Sequence, residues 1–481
     1  MITVIGLGNE KDDLTQKGKR AMENAVEKGA KIVVRTALTR SYQTVQELGV
    51  EHICLDSVYQ KSRSFATLAQ NLAKEVLRYG ENTVYLVDGS ASEDYSVKAL
   101  MKKTRGKVQI IDGVSKVTAI ACKAGFAGCS YTAVSAYELE ERAKAGGLAL
   151  PLIVYDLDDR GLASDCKLIL GDLFGEEIPV KYICQNQVRK TYLFETDRQK
   201  QYDYSSAIAI EQVPLLEKTR FTLTDLQTII TRLRAPNGCP WDRVQTNDSI
   251  KMSAVEEAYE LVDAIDQDDD DKILEEAGDI LMQAVFHAVL KEETGAFNLT
   301  DILTGVCQKL ITRHTHVFGD DKAVEADGAL SVWEKNKKQE KNHITYADTV
   351  NDVPKCFPAT MRAQKIGKRA SKAGLDFVGV DDAVARLKEE LVEFMQAFEK
   401  KDSENTEREL GDLLFSAVNV GRKAGCDCEK ALKESAERFA KRFTIAEQLA
   451  LDDGKIVTTL SADEWDKYYL QAKERLCKQP R

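Results

Sequence analysis

The chain is 481 residues long, 43% hydrophobic and 30% charged, with eight prolines and a formal net charge of −11. Such a length exceeds one ordinary domain and suggests about three, and the acidic balance argues against a general nucleic-acid or membrane binder. No apolar run is long enough for a bilayer, MITVIGLG leads straight into a strand pattern, and of eleven scattered cysteines only Cys426 and Cys428 lie close together, so no signal peptide is expected and reduced thiols in a cytoplasm are the simplest account.

Residues 1–215 read as α/β. Apolar runs at 2–5, 31–35, 83–87, 108–111 and 152–157 alternate with helical segments such as 64–79, which predicts a largely parallel sheet. Ligands on such sheets collect beyond the carboxyl ends of strands. Three glycine turns fall there: Gly6-Leu7-Gly8, Asp88-Gly89-Ser90 and Asp112-Gly113-Val114-Ser115. Gly6, Gly8, Gly89 and Gly113 are therefore the candidate cofactor-contacting residues, with simple strand-to-helix turns as the alternative for each.

The order and setting of these turns resemble the tetrapyrrole methylase family across nearly the whole region. That family's Gly-x-Gly-Pro-Gly-Asp-Pro loop, followed by Leu-Leu-Thr, stands here as Gly6-Leu7-Gly8-Asn9-Glu10-Lys11-Asp12-Asp13-Leu14-Thr15. Its Pro-Gly-(His/Asp)-Pro turn is Asp88-Gly89-Ser90-Ala91, and its Pro-Gly-Val-Ser turn is Asp112-Gly113-Val114-Ser115. The run Leu152-Ile153-Val154-Tyr155-Asp156 and a strand at 179–180 fit as well. The resemblance implies loops that cradle S-adenosylmethionine. Every lost proline falls in those loops, however, and two replacements are acidic. Prolines fix φ and stiffen such loops, so ligand sensing or a structural role is expected in place of methyl transfer.

After Pro214 the periodicity becomes helical. Thr222 or Thr224 can cap a helix over 226–233, and Pro236-Asn237-Gly238-Cys239-Pro240-Trp241-Asp242 reads as a rigid turn placing Trp241 against a helix. Helices are expected through 246–341 and 357–477, with a connector at 342–356. The domains are accordingly 1–215, 220–345 and 346–481.

Residues 254–283 read as two amphipathic helices joined by an aspartate-rich turn. Residues three or four apart share a helical face, so Glu257 with Glu260, and Glu276 with Asp279, can aim four carboxylates across the seam. Such a set repels itself unless a cation sits in it, and Mg²⁺ (or Mn²⁺) is the natural occupant of an oxygen-only site. The pattern returns 133 positions later as Glu390, Glu393, Glu409 and Asp412, a register that chance surface charge would not reproduce. Glu256 and its counterpart Glu389 are placed to orient or deprotonate a water, or are surface residues. Downstream lie Lys309 and Arg313 in one unit and Arg438, Lys441 and Arg442 in the other. Cations four apart share a face and can bind one polyphosphate, with salt bridging along the helix as the alternative. Trp333 and Trp465 could stack a base or anchor their helices, and Asn419 shares the face of Asp412.

The spacing Glu-Glu-x-x-Glu followed by Glu-x-x-Asp resembles the MazG family of all-α nucleoside triphosphate pyrophosphohydrolases. Cys239-Pro240-Trp241-Asp242, Arg313-His314-Thr315-His316-Val317-Phe318 and the run from Met361 to Arg369 fit its tandem form. With the front region added, the order of domains resembles the YabN-type fusion. The resemblance implies that the two acid quartets are metal ligands and that Arg438 and Arg442, with Lys309 and Arg313 as counterparts, hold phosphates. It also implies Mg²⁺ as cofactor, conversion of NTPs or dNTPs to monophosphate and pyrophosphate with broad base tolerance, a house-cleaning role, and a homodimer. Where the family often has asparagine two residues before the first cation, this chain has Cys307 and Ala436. Two rivals remain: an S-adenosylmethionine-dependent tetrapyrrole-type methyltransferase and a non-catalytic nucleotide sensor.

Overall fold

The computed structural model describes residues 1–62, 64–323, 325–341 and 343–478. Its packing divides the chain into two compact units, Met1–Phe297 and Asn298–Arg481. The first begins with β1 (Ile2–Gly6), β2 (Lys31–Val34), β3 (Ile53–Cys54), β4 (Thr83–Val87) and β5 (Val108–Ile111). These form a wholly parallel sheet in the order β3-β2-β4-β1-β5. Its strands are apolar on both faces because helices cover both. Val4, Tyr85 and Val87 pack against helices Phe65–Arg78 and Tyr95–Thr104, while Ile5, Val84 and Leu86 meet helices Gln16–Glu27 and Tyr42–Glu47.

A second sheet follows, built from β6 (Thr132–Ser135), β7 (Leu152–Tyr155), β8 (Pro179–Cys184), β9 (Gln187–Tyr192) and β10 (Ala207–Ile210), in the order β6-β7-β10-β8-β9. Only β6 and β7 run parallel. The expectation of a largely parallel sheet therefore holds for the first layer and fails for the second. The reason is local: a tight turn with Gln185 at φ +57° folds β9 back on β8, and β10 returns antiparallel between β7 and β8.

The helical part opens at Leu223–Arg234, where Thr222 accepts from the Asp225 backbone N–H and Asp225 from that of Thr222, a reciprocal cap. Trp241 corrects the sequence reading, since it lies on a short helix, Pro240–Val244, with 65% of its surface exposed. The helices Ser253–Gln267 and Asp270–Glu292 then form a hairpin in the first unit. In the second unit Val380–Glu399 and Ser403–Lys423 form another. Both turns use the same device. Asp268 and Lys401 take left-handed backbone angles (φ +57° and +56°), and the next residue, Asp269 or Asp402, caps the second helix. Non-glycine residues seldom adopt that conformation, so its recurrence 133 residues later extends the repeat from side chains to backbone. The expected connector contains a short capped helix, Tyr346–Asn351, and residue 342 lies outside the described residues. Among the described residues no helix is long and apolar enough to cross a membrane.

Candidate functional site

Each helical hairpin brings three glutamates to one point. Carboxylate oxygens of Glu257, Glu260 and Glu276 lie within 4.8 Å of one another, and so do those of Glu390, Glu393 and Glu409. The spacing explains this, because residues three apart on one helix face a residue of the returning helix across the seam. Asp279 and Asp412 stand outside these triads. Asp279 still acts on the first cluster. Burial holds the Glu257 carboxyl above its ordinary range, and the charges of Asp279 and Glu260 push the same way. Glu276 is raised by burial and then by Glu260, Glu275, Glu257 and Asp279. Oxygen-only donors so arranged suit a hard divalent cation. A buried amide stands beside this cluster: the Gln283 side chain hydrogen-bonds the Glu257 carboxyl, and its Oε1 has no hydrogen-bond partner.

The second cluster carries its own cations. Arg386 reaches Glu389 at 2.9 Å and Glu390 at 2.7 Å, while Arg408 holds Glu409 and lies 4.0 Å from Asp412. Glu390 and Glu409 are buried. Glu389 and Glu256 are both exposed, and Glu389 is engaged by an arginine. Neither arginine was singled out from the sequence, although an arginine four before Glu390 and another next to Glu409 are visible there.

The structure engages several expected substrate residues elsewhere. Asn419 is buried, donates to the Phe415 carbonyl and accepts from Arg422 Nε, both at 3.2 Å. Trp465 packs on the small cluster around Ala446, Leu449 and Tyr468 and stacks on Phe443 at 5.3 Å, which fits the anchor alternative. Trp333 lies between Arg313 (5.5 Å) and Lys337 (4.7 Å), and Arg313 forms a two-pronged bond with Glu340. Lys309 and Arg313 belong to the second compact unit. Arg438 pairs with Glu434 at 3.6 Å, Lys441 is exposed, and Arg442 is half-buried on the same helix, Cys428–Asp452.

Arg422 also reaches the Asp376 carboxylate. Its hydrogen bond, aided by Lys423, holds the Asp376 carboxyl down to about 2. A carboxyl depressed in the folded state stabilises above its unfolded pKa of about 3.9, and that contribution fades as pH falls through the folded value. Asp376→Asn should therefore lower stability at pH 7, and the gap to the parent chain should close between about pH 4 and pH 2 in denaturant titrations. A gap independent of pH would contradict this.

In the front domain the carboxyl ends of β1, β4 and β5 do bring the glycine turns together. Gly8 and Gly89 exchange backbone hydrogen bonds at 3.1 and 2.7 Å. A methyl group on Gly6 would lie 2.5 Å from the Gly113 nitrogen and 2.6 Å from the Gly89 oxygen. Asp112 turns onto Ser90 and the Ser92 backbone, and Asp88 onto Arg35. These glycines serve mainly one another. A neighbouring cavity of about 600 Å³ is lined by Gly89, with Arg35, Tyr95, Lys116 and Tyr137, and not by Gly6, Gly8 or Gly113. The packing of Gly6, Gly8 and Gly113 on one another and on Gly89 fits the strand-to-helix turn alternative.

The MazG nucleotide pyrophosphohydrolase domain family matches residues 245–318 and 379–444, which together hold both acid clusters. The "Uncharacterized protein YabN" of Bacillus subtilis (strain 168) is 31% identical, with 98% of either chain covered. The "Nucleoside triphosphate pyrophosphohydrolase/pyrophosphatase MazG" of Thermotoga maritima is 39% identical over 52% of this chain and 94% of its own. The nucleoside triphosphate pyrophosphohydrolase of Escherichia coli (strain K12) is 38% identical over 52% and 96%. Among solved structures, the methyltransferase CobJ aligns with 44% of this chain and 94% of its own at 16% identity and a TM-score of 0.32. The precorrin-6Y methylase (cbiE) of Archaeoglobus fulgidus aligns with 44% and 98%, at 16% identity and a TM-score of 0.31. With the Thermotoga maritima and Escherichia coli relatives matched at 39% and 38% identity over 94% and 96% of their own length, the chain belongs to the MazG family of nucleoside triphosphate pyrophosphohydrolases.

Proposed function

We propose that this chain is a Mg²⁺-dependent nucleoside triphosphate pyrophosphohydrolase, converting NTPs or dNTPs to monophosphates and pyrophosphate with broad base tolerance, in nucleotide house-cleaning. The observation that carries this reading is the recurrence of one carboxylate triad, its oxygens within 4.8 Å, in two helical hairpins. Glu257, Glu260 and Glu276, with Glu390, Glu393 and Glu409, are the proposed holders of the ion, and Asp279 and Asp412 complete each quartet. When bound, such an ion would offset phosphate charge and make water a better nucleophile. The protein's own part is to fix the acids on two rigid helices and to supply a proton acceptor, Glu256 or Glu389, at the rim. Arg438, Lys441 and Arg442 remain the proposed phosphate contacts of the second hairpin, Lys309 and Arg313 are their proposed counterparts, and Trp333 is proposed to stack a base.

The acid-bearing helices also present apolar side chains to solvent: Phe398 is 67% exposed and Leu414 59%. Bare faces of this kind call for a partner, and a second copy is the proposed one, giving a homodimer. Sedimentation velocity should show a dimer that Phe398→Asp converts to monomer; a monomeric parent chain would contradict it. Cytoplasmic location, without nucleic-acid or membrane partners, is part of the same reading.

Incubating the protein with each NTP and Mg²⁺ and resolving the products tests the function. Monophosphate with pyrophosphate supports it. Intact NTP bound tightly would instead favour a nucleotide sensor.

A further inference from the structure

The two acid clusters share a skeleton and differ in what surrounds it. In the second, the buried Glu390 and Glu409 are already neutralised, by Arg386 and Arg408. In the first, the positions 133 residues earlier hold Ser253 and Glu275. Among the described residues no lysine or arginine pairs with Glu257, Glu260, Glu276 or Asp279. A second contrast is independent of charge. The first hairpin places a buried amide, Gln283, one helical turn beyond Asp279, with Oε1 unpartnered; the matching position in the second hairpin is Ser416. A buried carbonyl oxygen without a donor is costly, and a cation shared with the glutamates would satisfy it.

We propose that the clusters are unequal cation sites. The first takes a divalent cation from solution without nucleotide, Gln283 Oε1 joining the three glutamates. Arg386 and Arg408 are the resident counter-ions of the second and hold its cation affinity down, since an incoming ion must displace them from the carboxylates. This inference rests on the reading of both clusters as metal sites for triphosphate hydrolysis, but concerns their order of filling.

Titration of the full chain with Mn²⁺ in the absence of nucleotide, followed by the electron paramagnetic resonance of free Mn²⁺, tests it. The parent chain should show one tight and one weak class of site. Gln283→Leu should weaken the tight class by about tenfold or more, while Gln283→Glu, which keeps an oxygen there, should tighten it. Arg386→Gln with Arg408→Gln should strengthen the weak class by about tenfold or more, leaving the tight class unchanged. Two equal classes in the parent chain, or a titration unmoved by the arginine pair, would overturn the proposal. Pyrophosphate release is measured separately at saturating cation. Its absence alongside an unequal titration would count against the hydrolase reading alone, and its presence alongside equal classes against this inference alone.

Discussion

Glu260→Gln and Glu393→Gln combined in one chain should lower pyrophosphate release from nucleoside triphosphates by about 100-fold or more. Both side chains are exposed members of their triads, so the change removes a charge and a ligand without unburying core. Glutamine keeps the shape and one oxygen, and far-UV circular dichroism should stay as in the parent. Either substitution alone leaves the other hairpin intact. The single variant that loses most activity therefore identifies the hairpin that turns over. If the double variant retained full activity, the acids would be a solvated surface and the chemistry would lie elsewhere.

The second large effect concerns folding. Gly6→Ala should destabilise the front domain by about 3 kcal/mol. The added methyl meets backbone atoms of Gly113, Gly89 and Ala91, at 2.5, 2.6 and 2.9 Å, and backbone cannot rotate out of the way as a side chain can. Gly305→Ala supplies the contrast: it sits inside helix Leu299–Arg313 with open space around the new methyl, and alanine there should stabilise by about 1 kcal/mol. Calorimetry of both variants measures this. A Gly6→Ala protein as stable as the parent would mean that the glycine loops have slack.

Much of the architecture could be read from the residues because its signals are local. Strands at 2–5, 83–87 and 108–111 are continuous apolar runs, as strands buried on two faces must be, and they fall within one residue of β1, β4 and β5. β9 was missed because Gln187–Tyr192 is polar and largely exposed along the edge of its sheet, so it carries no apolar signature. The antiparallel return of β10 depends on which distant strand it joins, and nothing local encodes that. At the site, the acids were legible because their spacing repeats. Gln283 and the arginines were not, since an unsatisfied amide and an ion pair become visible only once two helices are set side by side. Trp241 and Trp465 make the same point in opposite directions, one in solvent and one stacked in a small core.

Turnover in H₂¹⁸O with Mg²⁺, followed by mass analysis of both products, shows whether the paired carboxylate hairpins direct water to the α-phosphorus of a nucleoside triphosphate. Attack at the α-phosphorus puts ¹⁸O in the nucleoside monophosphate and none in the pyrophosphate. Label in pyrophosphate, or release of orthophosphate with a nucleoside diphosphate, would contradict it.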